Sequence, residues 1–238
     1  MKKIIIIGAG AMGSAFAVPC LENQNDVMLV GTHLEDDLIK NIKSNNNFHP
    51  ALNMELPPKL KVEKFEKLSS ILKGEVDIIV AGVSSIGIEW FVKQISKYYK
   101  KNLPIILLTK GLAIEENELI TLSDKIKKLL KEKGHTGVNV SAIKGPCLAA
   151  GLANKMRTGT VIANPDIKET ELLKKIISTD YYSTEISDDL TGIELSGAIK
   201  NIYSMLIGAS EGLSNSKAPK EIQSKYYLNT SASLIHRS

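Results

Sequence analysis

The chain has 238 residues, 43% of them hydrophobic and 24% charged, which is typical of a soluble globular protein with a substantial core. Much of its formal charge of +4 comes from lysine-rich stretches such as residues 125–133. Apolar residues recur there at helical spacing, which indicates that the lysines form the solvated face of a helix. This interpretation disfavours nucleic-acid or membrane binding. Two cysteines far apart in the chain form neither a disulfide framework nor a metal-ligand pair, so we expect a cytoplasmic protein without a bound metal.

The chain begins with a predicted strand, a glycine-rich turn and a predicted helix. Residues 4–7 are four isoleucines, which indicate a buried parallel strand, and residues 14–22 predict a helix. The hexapeptide between them fits the dinucleotide-binding pattern in the setting that this pattern requires, and its glycines argue against a signal peptide or a membrane span. We expect the cofactor phosphates to contact Gly8, Gly10, Ala11, Met12 and Gly13.

The end of the second predicted strand, residues 27–30, bears on the choice of cofactor. Sites that prefer NAD usually carry an acidic residue there, which holds the ribose hydroxyls. This chain has Thr32 and His33 instead, and the first acid, Glu35, falls in the following helix. Without a carboxylate to repel a 2′-phosphate, both NAD and NADP stay open, and Thr32 or His33 could bind that phosphate. His33 is interpreted equally well as a solvent-facing loop residue.

Short apolar runs alternate with helical patterns through the first three quarters of the chain. Helices are predicted at residues 86–99 and 115–133, and a polar stretch at 44–50 predicts a loop. This alternation predicts an α/β fold, a Rossmann-type, doubly wound and mostly parallel sheet that is covered on both faces. The remaining predicted strands are residues 60–62, 77–81, 104–108, 138–143 and 159–163.

The character of the sequence changes near Ser187. Residues 188–212 predict one long helix rich in small and apolar residues, and a second helix is predicted from Pro219 to the end. We therefore divide the chain into a dinucleotide-binding domain at residues 1–186 and an incomplete all-helical substrate-binding domain at 187–238.

Lys200 stands among small and apolar residues of the predicted helix. Gly197, Lys200, Asn201, Ser204 and Gly208 are related by steps of three and four, so they share one side of the helix, which is narrow enough to admit a ligand. An ammonium group in such a place loses solvation and exchanges its proton more readily, as proton transfer to a carbonyl oxygen requires. The alternative is a lysine whose stem packs while its ammonium group reaches water.

Three further segments follow predicted strands and should reach the same rim of the sheet as the glycine-rich turn. They are Val83-Ser84-Ser85, Thr109-Lys110-Gly111 and Gly145-Pro146-Cys147-Leu148-Ala149. Ligands of open α/β sheets bind beyond the carboxyl ends of the strands. The convergence of four such segments therefore predicts a site.

Taken together, these segments resemble the NAD(P)-dependent glycerol-3-phosphate dehydrogenases over nearly the whole chain. The glycine-rich turn is shared with many enzyme types, whereas Thr109-Lys110-Gly111 combined with the Gly197–Asn201 spacing is more specific. The other matching landmarks, in the family's order, are His49-Pro50, Leu56-Pro57, Gly145-Pro146 with Ala149, the Glu194–Asn201 helix segment, and Asn229 with Leu234-Ile235 and Arg237.

The resemblance implies reduction of dihydroxyacetone phosphate to sn-glycerol 3-phosphate and the reverse reaction, which would feed glycerophospholipid synthesis. It implies that Lys200 is the proton donor and that Lys110 polarises the carbonyl beside the nicotinamide. It also implies that Ser84 and Ala149 contact the cofactor, that Asn201, Gly145 and Cys147 contact the substrate, and that the protein is a homodimer.

Some residues depart from the family's pattern. Cys147 stands where bacterial members commonly have serine, Leu148 replaces an aromatic residue, Gly151 an acid and Ser84 a proline. The family's aspartate partner of the catalytic lysine and its phosphate-binding Arg-Asn pair have no match up to Ser238, and Arg237 does not fit that pair. We expect exposed apolar side chains on the helical part, at Ile202, Leu206 and Leu234, and hence self-association.

Two other functions stay open. One is a ketopantoate reductase-like or 6-phosphogluconate dehydrogenase-like enzyme, which also pairs a nucleotide domain with a lysine-bearing helix, although Thr109-Lys110-Gly111 favours the first interpretation. The other is a truncated nucleotide-binding module without catalysis.

Overall fold

The computed structural model describes residues 1–214, apart from the side chains of residues 201 and 210–214. The strands in this part are β1 Lys3–Ile7, β2 Asp26–Val30, β3 Phe48–His49, β4 Met54–Glu55, β5 Lys61–Glu63, β6 Ile78–Ala81, β7 Pro104–Leu107, β8 Leu112–Glu115, β9 Glu118–Thr121, β10 Asn139–Lys144, β11 Thr158–Ala163 and β12 Tyr182–Ser187. The α-helices are α1 Ala11–Glu22, α2 Asp36–Ser44, α3 Leu68–Lys73, α4 Ile88–Ile95, α5 Leu122–Glu132, α6 Ala149–Ala153, α7 Ile167–Ile177 and α8 Leu190–Ser214.

The main sheet has the strand order β12-β11-β10-β7-β6-β1-β2-β5. Its strands are parallel except at the pair of β10 and β11, so the carboxyl ends of six strands share one rim. The chain first moves outward from β1 through β2 to β5, and then returns to β6 on the other side of β1. This reversal creates a crevice beyond β1 and β6, where doubly wound sheets bind their ligands. The predicted Rossmann-type fold is thereby confirmed.

Alternate residues of β1 pack into the two faces of the sheet. Ile4 and Ile6 belong to the apolar cluster on the face covered by α1 and α7. Ile5 and Ile7 belong to the cluster on the face covered by α4 and α5. Because successive side chains of a strand point to opposite faces, a strand buried on both sides needs an unbroken apolar run, which explains the four isoleucines.

α8 is anchored to the sheet by its first turn. Leu190 and Ile193 are buried in a small cluster with β10 and β11 residues, whereas Ile202 and Leu206 are 57% and 62% exposed. No helix within residues 1–214 has the combination of length and apolar character needed to cross a bilayer. The helix predicted from Pro219 and the landmarks at Asn229, Leu234, Ile235 and Arg237 lie outside the described residues.

The helix predicted at residues 115–133 is wrong in its first turns. β8 and β9 form an antiparallel hairpin there, and α5 begins only at Leu122. Glu116 and Asn117 have φ values of +50° and +66°, which close a two-residue turn of the kind that suits hairpins. The hydroxyl oxygen of Thr121 then accepts a hydrogen bond from the amide of Asp124 and caps α5. Leu119, which lies at helical spacing from Leu122 and Ile126 and so favours the longer helix, is 71% exposed on β9.

Two other differences concern the edges of elements. The helix predicted at residues 86–99 is shorter, because a 3-10 turn at Ser85–Gly87 precedes α4, which ends at Ile95. β12 was not predicted, although its burial alternates along Tyr182–Ser187 as expected for an edge strand. β12 ends the sheet three residues before α8 begins, close to the domain boundary that we expect from sequence.

Candidate functional site

The glycine-rich turn leaves β1 and leads directly into α1. Gly8 has a φ of +111°, a value that favours glycine, and a Cβ on it would lie 2.6 Å from the carbonyl oxygen of Gly82. A Cβ on Gly13 would lie 2.2 Å from the carbonyl oxygen of Gly8. The turn is therefore closed by contacts between backbones, which a side chain at Gly8 or Gly13 would prevent.

Gly10 differs from these two glycines because space is open beside it. Among the described residues, a Cβ there would meet only Oε1 of Glu35, at 3.8 Å. The amide of Ser14 donates to the carbonyl of Gly10 at 3.0 Å, so the amides of Ala11 and Met12 precede the first intrahelical bond and point along the crevice. Open space, backbone donors and the positive end of the helix dipole together fit a pyrophosphate group.

Glu35 reaches back to the glycine-rich turn, so the expectation that no carboxylate lies at the end of β2 is wrong. Its amide donates to the carbonyl of Thr32 at 3.0 Å, and this tight turn reverses the direction of the chain. Its Oε2 then accepts hydrogen bonds from the amides of Ala9 at 3.0 Å and Thr32 at 2.7 Å. A carboxylate in this position suits ribose hydroxyls and opposes a 2′-phosphate.

Thr32 and His33 have different surroundings. Thr32 is half-buried, and its hydroxyl oxygen accepts a hydrogen bond from the amide of Leu34 at 3.4 Å. His33 is exposed, and its ring lies against those of Trp90 and Phe65, with centroid separations of 5.0 and 6.2 Å. His33 thus belongs to a surface cluster of rings, and its contact with a cofactor phosphate stays a prediction.

His49 supports the glycine-rich turn from the opposite side. It is completely buried in β3, and its Nε2 lies 2.9 Å from the carbonyl oxygen of Ala9. Sequence analysis treated His49 only as a landmark, because nothing local indicates which backbone group a buried histidine contacts. The turn is therefore held by the carboxylate of Glu35 on its amide and by the ring of His49 on its carbonyl.

The loops after β6, β7 and β10 meet at the rim, as the sequence predicts. The hydroxyl of Thr109 donates to the carbonyl of Val83 at 2.6 Å, which joins the β7 loop to the β6 loop next to Ser84. The ammonium group of Lys110 donates to the carbonyl of Gly145 at 3.3 Å, which joins the β7 loop to the β10 loop. A continuous chain of contacts therefore connects the crevice beside the glycine-rich turn to the Gly145 segment.

The segment after Gly145 turns its cysteine inward. Cys147 is 5% exposed, and burial raises the pKa of its thiol. The thiol is therefore turned away from the rim, and the predicted contact of Cys147 with a substrate is expected through its backbone. Ala149, the first residue of α6, is half-buried and flanked by the 72% exposed Leu148. No group of three or more histidine, cysteine or acidic side chains in residues 1–214 is arranged to hold a metal ion.

Lys144 and Glu194 are buried charged residues. The sequence does not indicate a role for Lys144, and Glu194 enters only as the first residue of the Glu194–Asn201 segment. Lys144 is 2% exposed, and its ammonium group donates to the carbonyls of Thr109 at 2.6 Å and Leu107 at 3.4 Å. Burial lowers the pKa of Lys144 to about 8, although the carboxylate of Glu194 opposes this shift. The only signal in the sequence was a lysine at the end of an apolar strand, just before Gly145.

Lys200 lies on α8, one turn beyond the point where this helix contacts Lys144. A Cβ on Gly197 would lie 3.1 Å from Cδ of Lys144, so the Gly197 face of the helix packs on that side chain. Lys200 itself is half-buried rather than fully exposed, and the side chain of Asn201 lies outside the described part. The catalytic and substrate-binding roles of both residues stay predictions.

Comparison with known proteins identifies the family. A sequence model of the NAD-dependent glycerol-3-phosphate dehydrogenase N-terminus matches residues 3–170. The NADP(+)-dependent glycerol-3-phosphate dehydrogenase of Archaeoglobus fulgidus is 32% identical over 96% of this chain and 66% of its own length. The glycerol-3-phosphate dehydrogenase [NAD(P)+] of Mesoplasma florum is 32% identical over 84% of this chain and 58% of its own.

A solved structure shows the same fold. The crystal structure of glycerol-3-phosphate dehydrogenase from Coxiella burnetii superimposes with a TM-score of 0.73 at 24% identity, over 99% of this chain and 66% of that one. The chain thus spans 58% to 66% of the length of these relatives. The match to the family model covers more than half of the chain. The chain belongs to the NAD-dependent glycerol-3-phosphate dehydrogenase family.

Proposed function

We propose that this protein reduces dihydroxyacetone phosphate to sn-glycerol 3-phosphate with NADH or NADPH, and catalyses the reverse oxidation. One observation carries the proposal: the loops of Lys110 and Gly145 are hydrogen-bonded to each other at the rim that also holds the glycine-rich turn. Family membership supports the same reaction, because the relatives from Archaeoglobus fulgidus and Mesoplasma florum carry its name.

The glycine-rich turn would bind the cofactor. Its backbone would hold the pyrophosphate beside Gly10 and the first turn of α1, and Glu35 would lie next to the adenosine ribose. Ser84 and the backbone of Ala149 would contact the nicotinamide end. When bound, the reduced nicotinamide supplies a hydride to the carbonyl carbon, and the protein positions and polarises the reactants.

Two lysine side chains would transfer the proton and stabilise the negative charge that develops on the ketone oxygen. Lys200 donates a proton to the ketone oxygen as the hydride reaches the carbon, and takes a proton from the hydroxyl in the reverse direction. The ammonium group of Lys110 polarises the carbonyl, since a fixed positive charge stabilises the oxygen as negative charge develops there. Asn201 and the backbone at Gly145 and Cys147 would hold the substrate.

A nucleotide-binding module without catalysis is the second candidate. It is favoured by the glycine-rich turn, whose open space beside Gly10 fits a pyrophosphate whether or not Lys200 takes part in catalysis. In that case residues 1–186 bind the dinucleotide and no turnover follows.

An assay of cofactor consumption separates the candidates. NADH and NADPH oxidation is followed with dihydroxyacetone phosphate, with ketopantoate and without substrate, for wild type, Lys200→Met and Lys168→Met. Lys168 is an exposed lysine far along the chain from the proposed site and serves as the matched control. We expect turnover with dihydroxyacetone phosphate alone, a loss of about 100-fold or more in Lys200→Met, and no loss in Lys168→Met.

Each other outcome of this assay has a defined meaning. Undiminished turnover in Lys200→Met would remove Lys200 from the mechanism. Turnover with ketopantoate instead would favour the ketopantoate reductase-like alternative. Tight cofactor binding without turnover on either ketone would favour the binding module.

Several properties of the whole protein follow from the same proposal. We place it in the cytoplasm, as a homodimer whose product feeds glycerophospholipid synthesis. The exposed face of α8, with Ile202 and Leu206, supports self-association because it leaves apolar area in contact with water. Sedimentation of the chain as a compact monomer at all concentrations would contradict the oligomeric part.

A further inference from the structure

Lys144 is the buried charged group that the proposed mechanism leaves without a task. It is the last residue of β10, and its side chain runs beneath α8 toward the end of β7. Its ammonium group bonds to the backbone carbonyl of Thr109 at 2.6 Å, at the residue immediately before Lys110. Burial of an ammonium group at 2% exposure is costly, so a lysine in this position calls for a specific explanation.

Lys110 and Lys144 form a reciprocal pair of contacts. Lys144 binds the carbonyl beside Lys110, and Lys110 binds the carbonyl of Gly145, the residue after Lys144, at 3.3 Å. Each lysine therefore forms a hydrogen bond with the backbone next to the other lysine. These two hydrogen bonds connect the end of β7 to the end of β10, so we expect the position of the Lys110 turn to depend on Lys144.

Lys144 also contacts the helix that carries Lys200. Gly197 leaves room for its methylenes, since a Cβ there would lie 3.1 Å from Cδ of Lys144. Glu194, one turn earlier, is completely buried, and its carboxylate oxygens accept hydrogen bonds from the amide of Ser123 at 3.3 and 3.4 Å. This carboxylate lies at the N-terminal end of α5 and stabilises the positive charge of Lys144.

We propose that Lys144 is a positioning residue that joins the Lys110 turn to the α8 helix, through its hydrogen bond to Thr109 on one side and its packing against Gly197, supported by the charge of Glu194, on the other. It thereby sets the placement of Lys110 relative to Lys200. The effect of this link on catalysis rests on the proposed function. The contacts that form the link are independent of that function.

The charge on Lys144 is set by its neighbours on every packed element. Lys110 on the β7 loop disfavours a second positive charge, and Glu194 on α8 favours it. Asp124 on α5 acts on Glu194, and the neutral thiol of Cys147 lies near Lys110. Because the pKa of Lys144 is about 8, its positive charge is lost as the pH rises above that value, and the attraction to Glu194 is lost with it. Burial raises the pKa of the Glu194 carboxyl group, which the charge of Lys144 opposes.

A double-mutant cycle on the full chain tests the link without relying on activity. The unfolding equilibrium is measured for wild type, Lys144→Met, Glu194→Gln and the double variant. We expect a coupling of about tenfold in the unfolding constant near neutral pH, about 1.4 kcal/mol, which disappears above about pH 9.5. Coupling that is independent of pH, or absent, would show that Lys144 only fills space and would overturn the proposal.

Amide hydrogen exchange shows which residues lose protection when the link is removed. It includes Glu194→Gln as a second variant in case Lys144→Met folds poorly. Lys144→Met is expected to speed exchange about tenfold at residues 109–111 and 194–200, and to leave α1 within about twofold of wild type. Glu194→Gln, which keeps the lysine and the shape of the side chain, should speed exchange at 194–200. Uniform acceleration in both variants, or none beyond that of the exposed-lysine control Lys168→Met, would contradict the link.

Steady-state kinetics then test the consequence for catalysis. With dihydroxyacetone phosphate we expect Lys144→Met to lower kcat by about tenfold or more while KM for NADH stays within about twofold, because the glycine-rich turn is untouched. An unchanged kcat would contradict the positioning role. If wild type itself shows no turnover, the proposed function fails, and the cycle and exchange measurements alone decide whether the link exists.

Discussion

The two ends of the candidate site are built by different means. At the glycine-rich turn the geometry is fixed by backbones in contact: Gly13 lies where any Cβ would be 2.2 Å from the carbonyl oxygen of Gly8. At the rim of Lys110 and Lys144 the geometry is fixed by long side chains that bind carbonyls on neighbouring strands. The contact between Gly8 and Gly13 joins residues close in sequence, whereas the contacts made by Lys110 and Lys144 join residues 35 positions apart.

This difference determines how each end responds to change. A backbone contact tolerates no added atom, so it fails completely when a glycine is replaced. The charge of a buried ammonium group depends on pH and on neighbouring charges, so its contribution to stability changes gradually with both.

Replacement of the turn glycines should separate stability from cofactor binding. Gly13→Ala is expected to destabilise the chain by about 3 kcal/mol or more, because the added Cβ meets backbone that cannot move aside. Gly10→Ala should cost less than about 1 kcal/mol yet weaken NADH binding about tenfold or more, because its Cβ enters the space for the pyrophosphate. Denaturant unfolding and NADH fluorescence titration measure the two effects, and equal destabilisation by both variants would contradict the assignment.

The stability of wild type should depend on pH through Lys144. Burial lowers its pKa from 10.5 to about 8, so between these values the unfolded chain binds more protons and stability rises with pH. Relative to Lys144→Met, wild type should gain up to about 3 kcal/mol from pH 8 to pH 10.5, and nothing below pH 8. Parallel stability curves for the two proteins over that range would argue against a buried, charged Lys144.

Cofactor preference should respond to Glu35. Its carboxylate lies beside the end of β2, so Glu35→Gln removes a negative charge that opposes the 2′-phosphate of NADPH while an amide oxygen can still accept the Thr32 hydrogen bond. The ratio of NADPH to NADH affinity should rise about tenfold, or about 1.4 kcal/mol. Titration of each cofactor into both proteins measures the ratio, and an unchanged ratio would place the adenosine ribose elsewhere.

The cap of α5 tests the corrected start of that helix. Thr121→Ala is expected to cost about 1 kcal/mol, because the amide of Asp124 loses the Thr121 hydroxyl. Leu119→Ser should cost less than about 0.5 kcal/mol, because Leu119 is 71% exposed. The loss of stability in each variant is measured by thermal unfolding. A larger loss from Leu119→Ser would favour the longer helix that the apolar spacing suggested.

The sequence predicted what depends on local pattern. Four isoleucines followed by Gly8, Gly10 and Gly13 can form little other than a buried strand and a tight turn into a helix. The alternation of strands and helices then predicts a mostly parallel sheet covered on both faces. The long apolar pattern at residues 188–212 likewise predicted the start of α8 to within two residues.

What the sequence could not indicate depends on contacts between distant residues. Glu35 was read as a helix residue because nothing in its neighbours shows that the chain turns back at Thr32. Lys144 was passed over because a single lysine carries no signal until Glu194, 50 positions away, is brought beside it. The hairpin of β8 and β9 was missed because leucines at helical spacing also fit a strand pair closed by Glu116 and Asn117.

We expect cofactor bound at the glycine-rich turn to deliver its hydride to a ketone whose oxygen is protonated by Lys200. This is tested by a single-turnover reaction of dihydroxyacetone phosphate with NADH deuterated at the transferred position. Deuterium should appear at the carbinol carbon of glycerol 3-phosphate, and Lys200→Met should form this product about 100-fold more slowly at unchanged NADH affinity. Equal rates in both proteins, or tightly bound NADH that transfers no deuterium, would contradict it.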